Sequence, residues 1–123
     1  MNLTINPRAP LPIYAQVMEQ LRDLILGGSL GPGETLPSVR QMAETLEINS
    51  LTIQKAYKGL EADGLITIKK GVGASVCKDV VAPDQFSRNQ LIQTEMVSLI
   101  RKARTLGISK DNFVKMIEIQ WGD

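Results

Sequence analysis

Between Asn49 and Lys78 the chain sets the lysines Lys55, Lys58, Lys69, Lys70 and Lys78 against only Glu61 and Asp63. Ammonium groups gathered in this way neutralise phosphates, which is the sequence-independent part of binding to a nucleic acid. Interleaved with them are side chains that can read base edges. Gln54 carries both a donor and an acceptor, as an adenine edge demands. Thr52 offers a hydroxyl for phosphate and a methyl for thymine, and Lys55 can meet either guanine or phosphate. Asn49 and Ser50 stand where a helix would begin, and the unpaired N–H groups of a helix start favour a phosphate. Catalysis finds no comparable set. With no histidine and a single cysteine, Cys77, histidine acid–base chemistry, the usual zinc sites and an internal disulfide are excluded. No metal or cofactor is expected, and Cys77 reads as a small apolar strand residue.

These side chains need a scaffold, and the apolar periodicity supplies one. From Pro12 to about Leu26, Ile13, Val17, Leu21, Leu24 and Ile25 recur at helical spacing until Gly27-Gly28 stops them. The turn-rich stretch Ser29 to Pro37 follows, with one short strand near Thr35. Ser38-Val39-Arg40-Gln41 reads as a capping box opening a second helix with Val39, Met42, Ala43 and Leu46 inward. After the turn Glu47 to Ser50, a third helix buries Ile53, Ala56, Tyr57 and Leu60 and closes at Gly64. Tyr57 is then a core residue whose hydroxyl needs one local partner. Ser50, Leu51, Thr52, Gln54, Lys55 and Lys58 are left on the opposite side.

Leu65 to Ile68 and Ala74 to Cys77 are β-prone segments joined by Lys69-Lys70-Gly71-Val72-Gly73, whose glycines permit a hairpin loop. Gly71-Val72-Gly73 lacks a third glycine and a following helix, so it is not a nucleotide-binding loop. Helix, tight turn, helix and basic hairpin form an α+β winged helix-turn-helix, in which one helix enters the major groove of duplex DNA and the wing meets an adjacent groove or backbone. Ser38 serves chiefly as a cap. Arg40 can reach DNA or pair with Glu44 at i, i+4.

Beyond Val81-Ala82-Pro83-Asp84 a long helix carries Ile92, Met96, Leu99, Ile100, Ala103 and Leu106 on one face, and a shorter one from about Ser109 carries Phe113, Met116, Ile117 and Trp121. The organisation is therefore residues 1–80 for the winged domain and residues 81–123 for a two-helix tail. Two helices bury too little apolar surface to stand alone. Their partner is either the winged domain or a second copy of the chain, and the heptad-like repeat favours a homodimer seam.

With 123 residues, 43% of them hydrophobic and 4% aromatic, there is room for one compact domain and an appendage, with a core of aliphatic side chains. No apolar run reaches the length of a membrane span, and the start resembles no secretory signal, so a cytoplasmic protein without membrane contact is expected. The net charge of +1 is low for a DNA binder, so affinity must come from how the charges are distributed.

Several blocks, in order, resemble the GntR family of transcription regulators: Leu36 to Ala43, Thr52 to Tyr57, Leu60 to Ile66 and Gly71 to Gly73. The short helical tail is similar to that of the YtrA-like subfamily. The resemblance implies a dimeric operator-binding repressor, often controlling its own operon and transport genes, with the tail making the dimer. It assigns DNA contact to Arg40, Asn49, Ser50, Thr52 and Gly71, while Leu51 departs from the polar residue common in relatives. Such a dimer would set its reading helices one helical turn apart, ~34 Å, on a near-palindromic double-stranded operator. An unidentified small-molecule effector is compatible with this reading, although no pocket-forming domain is visible. Enzymatic activity is not expected. The competing reading is a winged-helix protein-interaction module, which the near-neutral charge would suit.

Overall fold

The computed structural model describes residues 2–80 and 85–122, in two units, Met1–Pro83 and Asp84–Asp123. The expected break at Val81-Ala82-Pro83-Asp84 lies outside the described residues. In the first unit, α1 (Ile13–Leu26), α2 (Val39–Leu46) and α3 (Ser50–Ala62) precede an antiparallel hairpin of β1 (Ile66–Lys69) and β2 (Gly73–Val76). The second unit consists of α4 (Gln85–Thr105) and α5 (Lys110–Trp121).

The apolar stripes converge on one core, in which Val17, Leu21 and Ile25 of α1 and Ile53, Tyr57 and Leu60 of α3 join Ile66 and Val76 of the hairpin. Gly59 of α3 lies against Met18 of α1, where an added Cβ would stand 2.6 Å from the Met18 Sδ and Cε atoms. A side chain at this position would have to displace the flexible end of Met18.

The stripe of α1 contains a residue that apolar spacing does not predict. Gln16 is buried, and its amide serves the backbone of an extended segment that runs beside the helix. Its Oε1 accepts from the Asn6 N–H at 2.8 Å, while its Nε2 donates to the carbonyls of Asn6 and Leu11, each at 2.9 Å. One turn later, Gln20 repeats the pattern on Thr4, accepting from its N–H at 2.8 Å and donating to its carbonyl at 2.7 Å. The match is metric: four residues of helix rise about 6 Å, close to the span of two residues of extended chain. Leu3 and Ile5 alternate with the bonded residues and pack against the core. Replacing Gln16 by leucine should cost about 2 kcal/mol, because the Asn6 and Leu11 backbone groups lose their partners. The denaturant midpoint should fall, and the Thr4 and Asn6 amides should exchange faster with solvent. Unchanged exchange at these amides would show that the segment is held otherwise.

The hairpin pairs Ile66 with Val76, Thr67 with Ser75, Ile68 with Ala74 and Lys69 with Gly73. Each strand runs one residue further into the tip than the sequence suggested. Lys69 and Gly73 are the last ladder pair, and the Val72 N–H donates to the Lys69 carbonyl at 3.0 Å across a loop of Lys70, Gly71 and Val72. Positive φ values at Gly71 (77°) and Gly73 (115°) allow the chain to reverse within so few residues. The short strand expected near Thr35 is a single bridge to Ser75. Backbone bonds from Gly33 to Val76, from Val76 to Glu34 and from Leu36 to Ala74, each 2.9 Å, align this segment with the outer edge of β2.

In the second unit Gly107, at φ 76°, turns the chain after α4, and the Ile108 N–H returns to the Ala103 carbonyl at 2.9 Å. The Ser109 side chain accepts from the Asn112 N–H at 3.2 Å and caps α5. Leu106, expected on the long helix, lies just beyond its last residue.

Candidate nucleic-acid interface

The arrangement of α2 and α3 is fixed before any ligand arrives. Ser38 and Gln41 form the capping box, with the Gln41 N–H donating to Ser38 Oγ at 3.1 Å and the Ser38 N–H to Gln41 Oε1 at 3.0 Å. Glu47 ends α2 in the left-handed region at φ 55°, which lets the chain turn within Glu47, Ile48 and Asn49. Asn49 Oδ1 then accepts from the Leu51 N–H at 2.8 Å and caps α3.

Tyr57 joins the two helices from inside. Its ring is 1% exposed and its hydroxyl donates to the Pro37 carbonyl, just ahead of α2, at 2.7 Å. Burial disfavours the phenolate and pushes the Tyr57 pKa from 10.0 up to about 12. The unfolded chain therefore loses this proton first as pH rises, so the contribution is intact below pH 10 and is lost between pH 10 and about 12. Stability should fall there by up to about 3 kcal/mol. Tyr57→Phe should remove that alkaline component while costing about 1 kcal/mol near neutrality. Denaturant titrations at pH 8 and pH 11 check both parts, and an unaltered alkaline loss in the variant would assign it to other groups.

Opposite the buried stripe, α3 exposes Ser50, Leu51, Gln54, Lys55 and Lys58, with Thr52 half-buried at the edge of the same face. Leu51 is 69% exposed, an uncommon position for leucine unless another surface covers it. Arg40 lies on the exposed side of α2 with its Nε 3.4 Å from Glu44 Oε1. This pair is highly exposed at both ends, is worth well under 1 kcal/mol, and yields readily to a stronger anion. Lys69, Lys70 and Gly71 are exposed at the wing, beside Val72.

The two acids of the basic stretch are both engaged within the chain. Asp63 pairs with Arg22 of α1 at 2.8 Å, and Glu61 Oε2 accepts from the Ile68 N–H at 2.9 Å, tying α3 to the free edge of β1. Among the described residues, neither acid forms an ion pair with a lysine of the stretch. Lys55 has a different neighbour: its Nζ lies 4.0 Å from the centre of the Tyr14 ring on the first turn of α1. Sequence reasoning passed over Tyr14, which sits beside the apolar stripe of its helix and offered only its aromatic type as a signal.

Of the tail residues singled out for self-association, Ile92, Met96, Leu99, Ile100, Leu106 and Ile117 are exposed, Phe113 is half-buried, and Ala103 is buried within one chain. Among the described residues there is no cluster of metal-ligating side chains, and no helix is long and apolar enough to cross a membrane.

The same arrangement recurs in proteins of known class. The family model "Bacterial regulatory proteins, gntR family" matches residues 13–76, from the start of α1 to the end of β2. The HTH-type transcriptional repressor YtrA of Bacillus subtilis is 32% identical over 116 residues, covering 94% of this chain and 89% of its own length. The structure of YtrA from Sulfolobus acidocaldarius, a GntR-family transcription factor, superposes with a TM-score of 0.57 at 37% identity, over 93% of this chain and 91% of that one. The DNA-binding domain of AraR in complex with its operator ORX1 superposes with a TM-score of 0.57 at 28% identity, over 63% of this chain and 99% of that domain.

Proposed function

The chain belongs to the GntR family of bacterial regulatory proteins and is a transcriptional regulator with a winged helix-turn-helix DNA-binding domain; from that premise we propose that it is a cytoplasmic repressor. In this reading it binds a near-palindromic operator as a homodimer and controls its own operon together with transport genes. The observation that carries the reading is the exposed polar and basic face of α3 together with exposed Lys69 and Lys70 of the wing, while Glu61 and Asp63 are each bonded within the chain.

The roles divide by chemistry. Gln54, Thr52 and Leu51 meet base edges, Leu51 by apolar contact with a thymine methyl. Arg40, Lys55, Lys58, Lys69 and Lys70 meet phosphates, and the Gly71 backbone approaches the duplex closely because no side chain stands in the way. Ser50 lies at the start of α3, where unpaired N–H groups favour a phosphate. Asn49 and Ser38 act mainly by capping, since their side-chain oxygens already accept backbone N–H groups. The tail supplies the second copy of the reading helix.

Selecting bound fragments from the host genome tests the proposal. A conserved two-half-site sequence should emerge upstream of the gene itself and of transport genes, with binding that weakens steeply as salt rises. Equal affinity for selected and scrambled duplexes would sink it.

A further inference from the structure

Lys55 is set apart from the other cations of the interface by what holds it. Its ammonium rests over the Tyr14 ring at 4.0 Å from the centre, well within the range at which the ring's negative face attracts a cation. Tyr14 is half-buried and packs against the core, so the ring is a fixed platform and not a second mobile side chain. Among the described residues, the ion pairs are Arg22–Asp63 and Arg40–Glu44, so no carboxylate competes for Lys55. A free lysine has four rotatable carbons to order before it can meet an anion, and the ring removes part of that cost in advance.

The direction of the hold also matters. Tyr14 belongs to the first turn of α1, a helix that supports α3 from the core side. A cation drawn towards α1 is held at the flank of α3, where the walls of a groove are phosphate. Gln54, the preceding residue, projects about 100° away around the helix.

Resting on the DNA-binding reading above, we infer that Tyr14 is a positioning residue of the interface. It holds Lys55 as a preordered phosphate contact, so that Lys55 contributes affinity to every duplex and leaves base discrimination to its neighbours. Tyr14 acts through its ring face, and its hydroxyl takes no part.

A double-mutant cycle on the full chain, read by operator binding as a function of salt, tests this. Lys55→Met keeps the stem that lies against the ring and removes the charge. It should weaken selected and scrambled duplexes by the same factor and lower the salt slope by about 1 per protomer. Tyr14→Leu should weaken both duplexes about 2- to 5-fold per protomer, the range expected for an exposed cation–ring contact. Tyr14→Phe should bind like the parent. In the Lys55→Met background, Tyr14→Leu should have no further effect. Thermal melts of each variant separate loss of fold from loss of contact.

The inference is overturned if Tyr14→Phe binds as weakly as Tyr14→Leu, because the hydroxyl would then act by itself. It is equally overturned if Tyr14→Leu costs the same factor with and without Lys55, because the ring would then be merely structural. Either result leaves operator recognition standing. A parent protein that binds no duplex at all would instead take down the DNA-binding reading and this inference with it.

Discussion

Replacing Lys55, Lys69 and Lys70 together by glutamate should weaken operator binding by on the order of 10³- to 10⁴-fold at physiological salt while leaving the melting temperature nearly unchanged. All of these side chains are exposed, and their ammonium groups donate no hydrogen bond to the core, so the fold gives up little. The affinity term is large because each phosphate neutralised releases condensed counterions, with a slope of about 0.9 in log K against log salt per contact. Two protomers each losing such a set should flatten the salt dependence by about 5. Gel-shift or anisotropy titrations at several salt concentrations measure both quantities. A loss below tenfold would mean that the wing and α3 do not carry the affinity, and would favour the protein-interaction reading of the same fold.

The second large effect concerns the tail. Leu99 and Ile100 lie exposed on α4 in an unbroken run with Ile92 and Met96, and aspartate in their place should not disturb a core to which they do not belong. If they line the seam between two copies, Leu99→Asp with Ile100→Asp buries unpaired charge there, and the protein should sediment as a monomer. Operator binding should then fall by about 10²- to 10⁴-fold, because the second half-site is no longer engaged at the high effective concentration that tethering provides. Binding to an isolated half-site should be unaltered. A variant that still sediments as a dimer would place the seam elsewhere.

The two effects have a common origin in the charge distribution. Residues 1–83 carry as many acids as bases, so a single winged unit has little long-range attraction for DNA. Segregation produces a local field: Glu61 holds the edge of β1, Asp63 holds Arg22, and the lysines of α3 and the wing are left facing outward. A weak local field used twice is the physical reason the proposed dimer would bind DNA better than one winged unit.

The sequence by itself determined whatever is encoded at short range. Helical periodicity located α1, α2 and α3 and their buried stripes; Ser38 with Gln41 marked the start of α2; Gly64 marked the end of α3; and Gly71 with Gly73 marked the wing. Each of these signals is complete within one or two turns of chain, where propensity, capping and backbone sterics act. Tertiary structure alone decided the features that depend on residues far apart. The extended segment held by Gln16 and Gln20 joins partners 10 and 16 positions apart, and the Arg22–Asp63 pair spans 41. A glutamine amide looks the same in sequence whether it faces water or mimics a neighbouring strand, and only the approach of another chain segment makes the difference. The basic face of α3 and the wing shows the same division. Its lysines were evident from composition, whereas their freedom from Glu61 and Asp63, and the seating of Lys55 on Tyr14, came from packing α3 against α1 and the hairpin.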